Sequence, residues 1–218
     1  MQRAFRDRAD AGRQLAARLL ARSEAYDDAF VLALPRGGVP VAAEIARALH
    51  GPLDVLCVRK LGVPFQPELA MGAVASGGVV IRNESVLAQL PYAESSFERV
   101  LADESTELVR RERLYRGNAP PLAVAGRTVI LVDDGLATGA TMSAAVQCLR
   151  TLGAGSIVVA IPVGSSEACE RIEQLADEIV CLRKPMMFMA VGQEYANFDQ
   201  TSDEEVARLL AEASGRPA

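Results

Sequence analysis

The segment Val129 to Met142, VILVDDGLATGATM, combines residue types that suit one kind of chemistry. Val129, Ile130, Leu131 and Val132 form an unbroken apolar run, as expected of a central strand buried on both faces. Asp133 and Asp134 end that run with adjacent carboxyl groups. The chain must then turn at Gly135, and small side chains there let a ligand come close to the backbone. A helix starting from this turn leaves the amides of Thr138, Gly139, Ala140 and Thr141 as the unpaired donors of its first turn, a ready anion site. The helix dipole is worth only about 0.3–2 kcal/mol to an anion, whereas each hydrogen bond to a charged group contributes about 1.5–3 kcal/mol, so the donors dominate. Carboxylates beside a phosphate repel it unless hydroxyls or a metal ion intervene. A sugar phosphate supplies such hydroxyls. Two other phosphate motifs are excluded: there is no GxGxxG fingerprint, and GLATGAT has neither the spacing nor the lysine of GxxxxGK[ST].

This segment closely resembles the signature of the type I phosphoribosyltransferases, which use 5-phosphoribosyl 1-diphosphate (PRPP). The family pattern is an apolar strand, an acidic pair, two mostly aliphatic residues, a small residue and Thr-Gly-x-Thr. Only Gly135 departs from it, standing where an aliphatic residue is usual, and it is expected to loosen the turn. The resemblance implies that Asp133 and Asp134 hold the ribose hydroxyls. Gly135, Leu136, Ala137, Thr138, Gly139, Ala140 and Thr141 would form the turn that wraps the 5′-phosphate. Leu34-Pro35-Arg36-Gly37-Gly38 resembles the family's pyrophosphate loop, with Arg36, Gly37 and Gly38 as contacts and a non-proline cis peptide expected at Arg36–Gly37. Consecutive glycines there permit backbone shapes forbidden to other residues, and arginine offers a planar fork to phosphate oxygens. Arg59 and Lys60 stand where the family places cations on pyrophosphate, followed by a mobile closing loop, here Leu61 to Glu68.

The implied reaction is attack by a nitrogen nucleophile on the anomeric carbon, with loss of pyrophosphate. Asp133, Asp134 and Lys60 would carry the catalytic role, helped by Mg²⁺ that arrives on PRPP and reaches Asp133 or Asp134 through water. Phe188 is the candidate to stack on the acceptor base, with Val191 and Tyr195 beside it. Ala137 stands where hypoxanthine and guanine enzymes carry an acid, so a proton acceptor would come from Glu68, Glu194 or Asp199. The competing expectation is a regulatory protein that binds PRPP or a nucleotide without turnover. The implied fold is α/β, a mainly parallel sheet with helices on both faces and a small hood from the C-terminal segment.

These residues need a scaffold, and the composition supplies one. With 218 residues, 50% hydrophobic and 23% charged, the chain can bury one sizeable core. We expect a single domain over 1–218, its core at about 29–182 and its hood at about 183–200. Apolar stretches such as Ile157 to Val163 fall far short of the roughly 20 residues of a membrane span. The charged start MQRAFRDRADAGR does not read as a secretory signal, so the expected location is cytoplasmic. Cys57, Cys148, Cys169 and Cys181 form no CxxC pair and read as reduced, buried spacers. His50, the only histidine, reads as a helix C-cap or surface residue rather than a metal ligand. A net charge of −5 gives no reason to expect nucleic acid. The expected partners are PRPP, a small acceptor and, as often for such a build, a second copy in a homodimer.

Hydrophobic spacing gives the order of elements. A helix is expected at Asp7 to Glu24, a strand at Ala29 to Leu34, a helix at Val39 to His50 and a second strand at Leu53 to Lys60. A hairpin follows at Ala70 to Ala75 and Val79 to Arg82. Pro91 to Gly117 reads as a helix with Phe97, Val100, Leu101, Leu108 and Leu114 facing inward. After the signature strand, Met142, Val146 and Leu149 line a buried helix stripe. Ser156 to Pro162, Glu167 to Leu175 and Glu178 to Leu182 complete a strand, helix and strand, and the end from Gly215 is expected to fray. In such a sheet, ligands bind at carboxyl ends of strands where the winding reverses. The loops after Leu34, Lys60 and Val132 should therefore meet.

Overall fold

The computed structural model of the chain describes residues 4–22, 26 and 28–213, apart from the side chains of residues 67 and 68. The expected end of the first helix at Glu24 and the fraying from Gly215 lie outside the described residues. Strands β1 (Phe30–Ala33), β2 (Leu53–Val55), β6 (Thr128–Val132), β7 (Ser156–Val163) and β8 (Glu178–Arg183) form one parallel sheet in the order β2-β1-β6-β7-β8. Alternate side chains divide the core between its faces. Val31, Ala33, Ile130 and Val132 join helices α1 (Arg8–Leu20) and α2 (Gly38–Leu49) on one face. Leu32, Val129 and Leu131 join α5 (Ala140–Thr151) and α6 (Ser166–Glu173) on the other. This two-sided burial is why the strands read as continuous apolar runs rather than alternating ones.

Three local caps agree with their residues. Asp7 closes the start of α1 by accepting from the Asp10 amide at 2.7 Å, Ser165 does the same for α6, and His50 ends α2 in the left-handed region at φ 53°. Met142, Val146 and Leu149 are buried as expected. All four cysteines are free, but Cys181 is only half-buried, unlike the other three.

The second strand departs from expectation. The apolar run Leu53 to Lys60 is two strands: β2 stays in the main sheet, and β3 (Val58–Val63) leaves it for a separate antiparallel sheet with β4 (Gln66–Ala75) and β5 (Val79–Arg82). Ser76 fixes the crossing, its Oγ accepting from the Cys57 amide at 3.0 Å and its own amide donating to Cys57 O at 2.9 Å. The expected mobile loop Leu61 to Glu68 is therefore largely strand, with its turn at Pro64 and Phe65, and the Glu68 side chain lies outside the described residues.

The short helix α3 (Glu84–Leu87) leads to α4 (Ala93–Arg116), which places Phe97 and Leu108 in the core as expected. Leu114 is 43% exposed, and Tyr115 takes the inward position instead. The reason is the helix end: the Arg116 fork grips Asp54 at 2.9 and 3.0 Å, and Tyr115 Oη reaches Asp203 at 2.6 Å, which sets the rotation of the last turn. After β8, residues 184–200 form an irregular hood with a 3₁₀ turn at Val191–Glu194, and α7 (Asp203–Ala213) packs back on α2.

Candidate active site

The winding of the sheet reverses between β1 and β6, whose carboxyl ends lie side by side with Leu32 opposite Leu131. The loops that leave them, 34–38 and 133–139, are in close contact. Leu34 N donates to Val132 O at 2.9 Å, and a Cβ on Gly38 would lie 2.6 Å from that same carbonyl. A Cβ on Gly37 would meet Asp134 Oδ2 at 2.1 Å. Closeness, rather than unusual backbone shape, thus explains this glycine pair: Gly37 has an ordinary φ of −60°. The cis peptide sits at Pro35–Arg36, one bond before its expected place at Arg36–Gly37, and Gly37 is already in the helical conformation that opens α2.

The acidic pair is held in a specific way. Asp133 Oδ1 accepts from the Asp134 amide at 2.8 Å, while Asp134 Oδ2 accepts from Arg8 Nε at 2.8 Å. Each carboxyl group keeps one oxygen, Asp133 Oδ2 and Asp134 Oδ1, with no partner among the described residues and no enclosure that would deny it solvent. Burial raises Asp133 well above the ordinary carboxylate value, and the neighbouring Asp134 charge adds to this. Burial raises Asp134 as well, with Arg8 pulling in the opposite direction.

Beyond the acids, Gly135 and Leu136 anchor the turn rather than face a ligand. Leu136 N donates to Val163 O at 2.8 Å and Leu136 O accepts from Ser165 N at 2.9 Å, so this amide is spent within the protein. Gly135 does not loosen the turn as expected: a Cβ there would lie 2.4 Å from Val191 Cγ1, so the hood's valine occupies the space. Gly139, at φ 76°, then swings the chain into α5. The amides of Ala137, Thr138, Gly139 and Thr141 donate to no acceptor among the described residues, and Ala140 N has only a long contact of 3.5 Å to Thr138 Oγ1. Ala137, Thr138 and Thr141 are exposed. This cradle is therefore free to take an anion.

The cations divide. Strand alternation sends Arg59 and Lys60 to opposite faces of β3. Arg59 Nε pairs with Glu104 of α4 at 2.6 Å, and Arg59 and Lys60 both border a recess beside Pro64 and Phe65. Lys60 lines a cavity of about 730 Å³ between the antiparallel sheet and α5, whose wall also includes Thr138, Ala140 and Thr141. Arg36 lies on the site loop, with Nη1 3.5 Å from Asp203 Oδ1 of α7.

The three base candidates also part. Tyr195 is fully buried, packed between Phe5 and Phe198, and its hydroxyl donates to Asp134 O at 2.6 Å. It supports the acid pair from behind and has no face open to a base. Burial pushes its hydroxyl pKa upward. Val191 fills the Gly135 gap, and Phe188 is half-buried against the same cluster. Of the proton-acceptor candidates, Glu194 pairs with Arg183 at 3.3 Å, and Asp199 O accepts from Arg8 Nη1 at 2.6 Å.

Sequence reasoning missed Arg8, which lies within the helix expected at Asp7 to Glu24 and drew no functional reading. No spacing rule links a residue before the first strand to the signature acids.

A fold with winding that reverses at an acidic strand end, followed by an open amide turn, defines a class, and comparison agrees. The chain belongs to the phosphoribosyl transferase family, whose phosphoribosyl transferase domain matches residues 53–198. A Mycobacterium tuberculosis protein provisionally named as a phosphoribosyl transferase is 49% identical over 209 residues, covering 96% of this chain and 47% of the relative. The chain thus spans about half the length of the curated relatives it matches. The crystal structure of the protein TT1426 from Thermus thermophilus superposes with a TM-score of 0.86 at 45% identity, covering 95% of this chain and 98% of that one. A ribose-phosphate pyrophosphokinase of Mycobacterium leprae is 37% identical over 90 residues, 40% of this chain and 26% of that protein. Among the described residues, no helix is long and apolar enough to cross a membrane.

Proposed function

We propose that this chain is a phosphoribosyltransferase that binds PRPP at the β1–β6 switch point and transfers its phosphoribosyl group to a nitrogenous acceptor, releasing pyrophosphate. The observation that carries this reading is the pairing of unpartnered amides at Ala137, Thr138, Gly139 and Thr141 with two unpartnered carboxylate oxygens, Asp133 Oδ2 and Asp134 Oδ1. The first set matches a phosphate monoester and the second a vicinal diol. Cationic donors for the leaving group are Arg36 on the neighbouring loop and Lys60 in the adjoining cavity.

Positive charge that develops on the ribose ring meets the acid pair, while the cations stabilise the departing pyrophosphate. Among the described residues no cluster of three ligating side chains exists that would hold a metal ion by itself. This suits a hard cation that brings phosphate oxygens and waters of its own. Mg²⁺ carried by PRPP would reach Asp133 or Asp134 through water, leaving their free oxygens to the ribose hydroxyls, and it would supply neutralisation of leaving-group charge. Ala137 offers no acid beside the base, which argues against an oxopurine acceptor assisted from the signature.

The test is incubation with PRPP, Mg²⁺ and a panel of nitrogenous acceptors, following pyrophosphate release and product mass. Turnover with one acceptor class supports the reading. PRPP binding with no turnover across a broad panel would replace it with a regulatory binder, and absence of PRPP binding would remove both.

A further inference from the structure

Arg8 stands at a junction that neither the signature nor the loops account for. Its guanidinium is held from three directions: Nε to Asp134 Oδ2 at 2.8 Å, Nη1 to Asp199 O at 2.6 Å, and Cζ 3.9 Å above the Phe198 ring. The side chains of Arg8 and Asp134 are only 12% and 15% exposed. The peptide next to the carboxylate is gripped by the same assembly, through Tyr195 Oη on Asp134 O at 2.6 Å. Phe5 N donates to Glu194 O at 2.9 Å and Ala196 N to Phe5 O at 2.7 Å, so the residues before α1 are stitched to the hood. An ordinary surface ion pair would not be fixed on three sides. A guanidinium this constrained has little rotamer freedom left to lose when it orients its partner.

We propose that Arg8 is a positioning residue of the sugar site: by occupying Asp134 Oδ2 it fixes the carboxylate plane and leaves Oδ1 presented to a ribose hydroxyl. The inference rests on the PRPP reading of the site. Gly37 takes part as well, since its missing Cβ, which would lie 2.1 Å from Oδ2, is what lets the Asp134 carboxylate lie against the pyrophosphate loop. Arg8 touches no reacting atom and acts only through Asp134. The clamp also joins the hood, where an acceptor would dock, to the carboxylate that reads the sugar.

The proposal separates sugar recognition from phosphate recognition, because the amide cradle of residues 137–141 makes no contact with Arg8. Calorimetric or NMR titrations with ribose 5-phosphate and, separately, with inorganic phosphate are run on wild type, Arg8→Gln and Arg8→Lys, with thermal melts alongside. Arg8→Gln is expected to weaken ribose 5-phosphate by about tenfold or more, the scale of one misaligned charged hydrogen bond, and to leave phosphate affinity unchanged. Arg8→Lys keeps the charge without the fork and gives an intermediate, equally selective loss. Should Arg8→Gln fail to fold, Arg8→Lys carries the comparison. Equal weakening of both ligands, or of neither, overturns the positioning role and leaves a structural ion pair. Wild type that binds phosphate but gains nothing from the ribose overturns the PRPP reading itself and this proposal with it.

Discussion

Gly135 and Val191 have exchanged volumes, and a double-mutant cycle measures it. In Gly135→Ala the new Cβ would lie 2.4 and 2.8 Å from the two Val191 methyls and 3.1 Å from Val163 Cγ1. Unstrained carbon contacts lie at about 3.5–4.0 Å, so the first overlap exceeds an ångström. Overpacking of this kind costs about 1–3 kcal/mol. The loss of unfolded-state freedom on replacing glycine returns about 0.4–1 kcal/mol, because Gly135 is not among the positive-φ glycines. The net is about 1–2 kcal/mol, or roughly 2–8 °C in Tm for a domain of this size. Val191→Ala removes two half-buried methyls and should cost about 0.5–1.5 kcal/mol. In the double variant the two closest clashes vanish and only the Val163 contact remains. Its destabilisation should therefore fall below the sum of the singles by about 1 kcal/mol or more, read from urea or thermal unfolding of all four proteins. Additivity within about 0.3–0.5 kcal/mol would refute the claim that the hood fills this gap.

Asp133→Asn should weaken PRPP binding yet stabilise the protein at neutral pH by about 1–3 kcal/mol, since it removes a buried charge whose nearby cation, Arg8, is bonded to Asp134 instead. Asp133 has a folded pKa raised above 3.8, so the stability its protonated form contributes is full below that value and is lost as pH rises through the raised one. The advantage of Asn in denaturant melts must then shrink as the solution is acidified, and an advantage independent of pH would count against it. Lys60→Ala should weaken PRPP binding several-fold by calorimetry, whereas Arg59→Ala should leave it within about twofold, its pair with Glu104 being worth about 0–1 kcal/mol. Equal losses would mean that both side chains reach the ligand. Tyr195→Phe should cost about 0.5–1.5 kcal/mol of stability through the lost bond to Asp134 O, with the order of preference among acceptors unchanged. A changed order would restore Tyr195 as a base contact.

How much of this was legible follows from which physics is local. The strand, acid pair and amide turn of residues 129–141 announce themselves because apolar run, charge and small residues fall within one segment. The parallel sheet follows from the alternation of strands and helices. The split of Leu53 to Lys60 between two sheets was hidden, because Leu56 and Cys57 are as apolar as their neighbours and the crossing is pinned by Ser76, nearly twenty positions later. Loop glycines carried a correct signal with the wrong cause: Gly37 and Gly38 are required by contact with residues 132–134, which no local rule contains. Tyr195 and Arg8 were misread or missed for the same reason, since their roles arise where the two ends of the chain meet behind Asp134.

The cations test whether the site is ready or blocked. Arg36 pairs with Asp203 at 3.5 Å, with the two side chains 32% and 34% exposed. A pair this long and this wet is worth at most about 1 kcal/mol. A pyrophosphate oxygen in its place would receive a charged hydrogen bond worth about 1.5–3 kcal/mol, and the planar fork allows two at once. Exchange of Asp203 for pyrophosphate is therefore favourable without help from the rest of the chain. Asp203 would not be stranded, because Tyr115 Oη already donates to it at 2.6 Å. Arg59 is held toward α4 by Glu104 at 2.6 Å, in a pair whose side chains are 28% and 25% exposed. On the proposed reading, the leaving-group side of the site rests on Arg36 of the loop after β1 and Lys60 of β3, and the distance between them decides whether both can hold a single pyrophosphate.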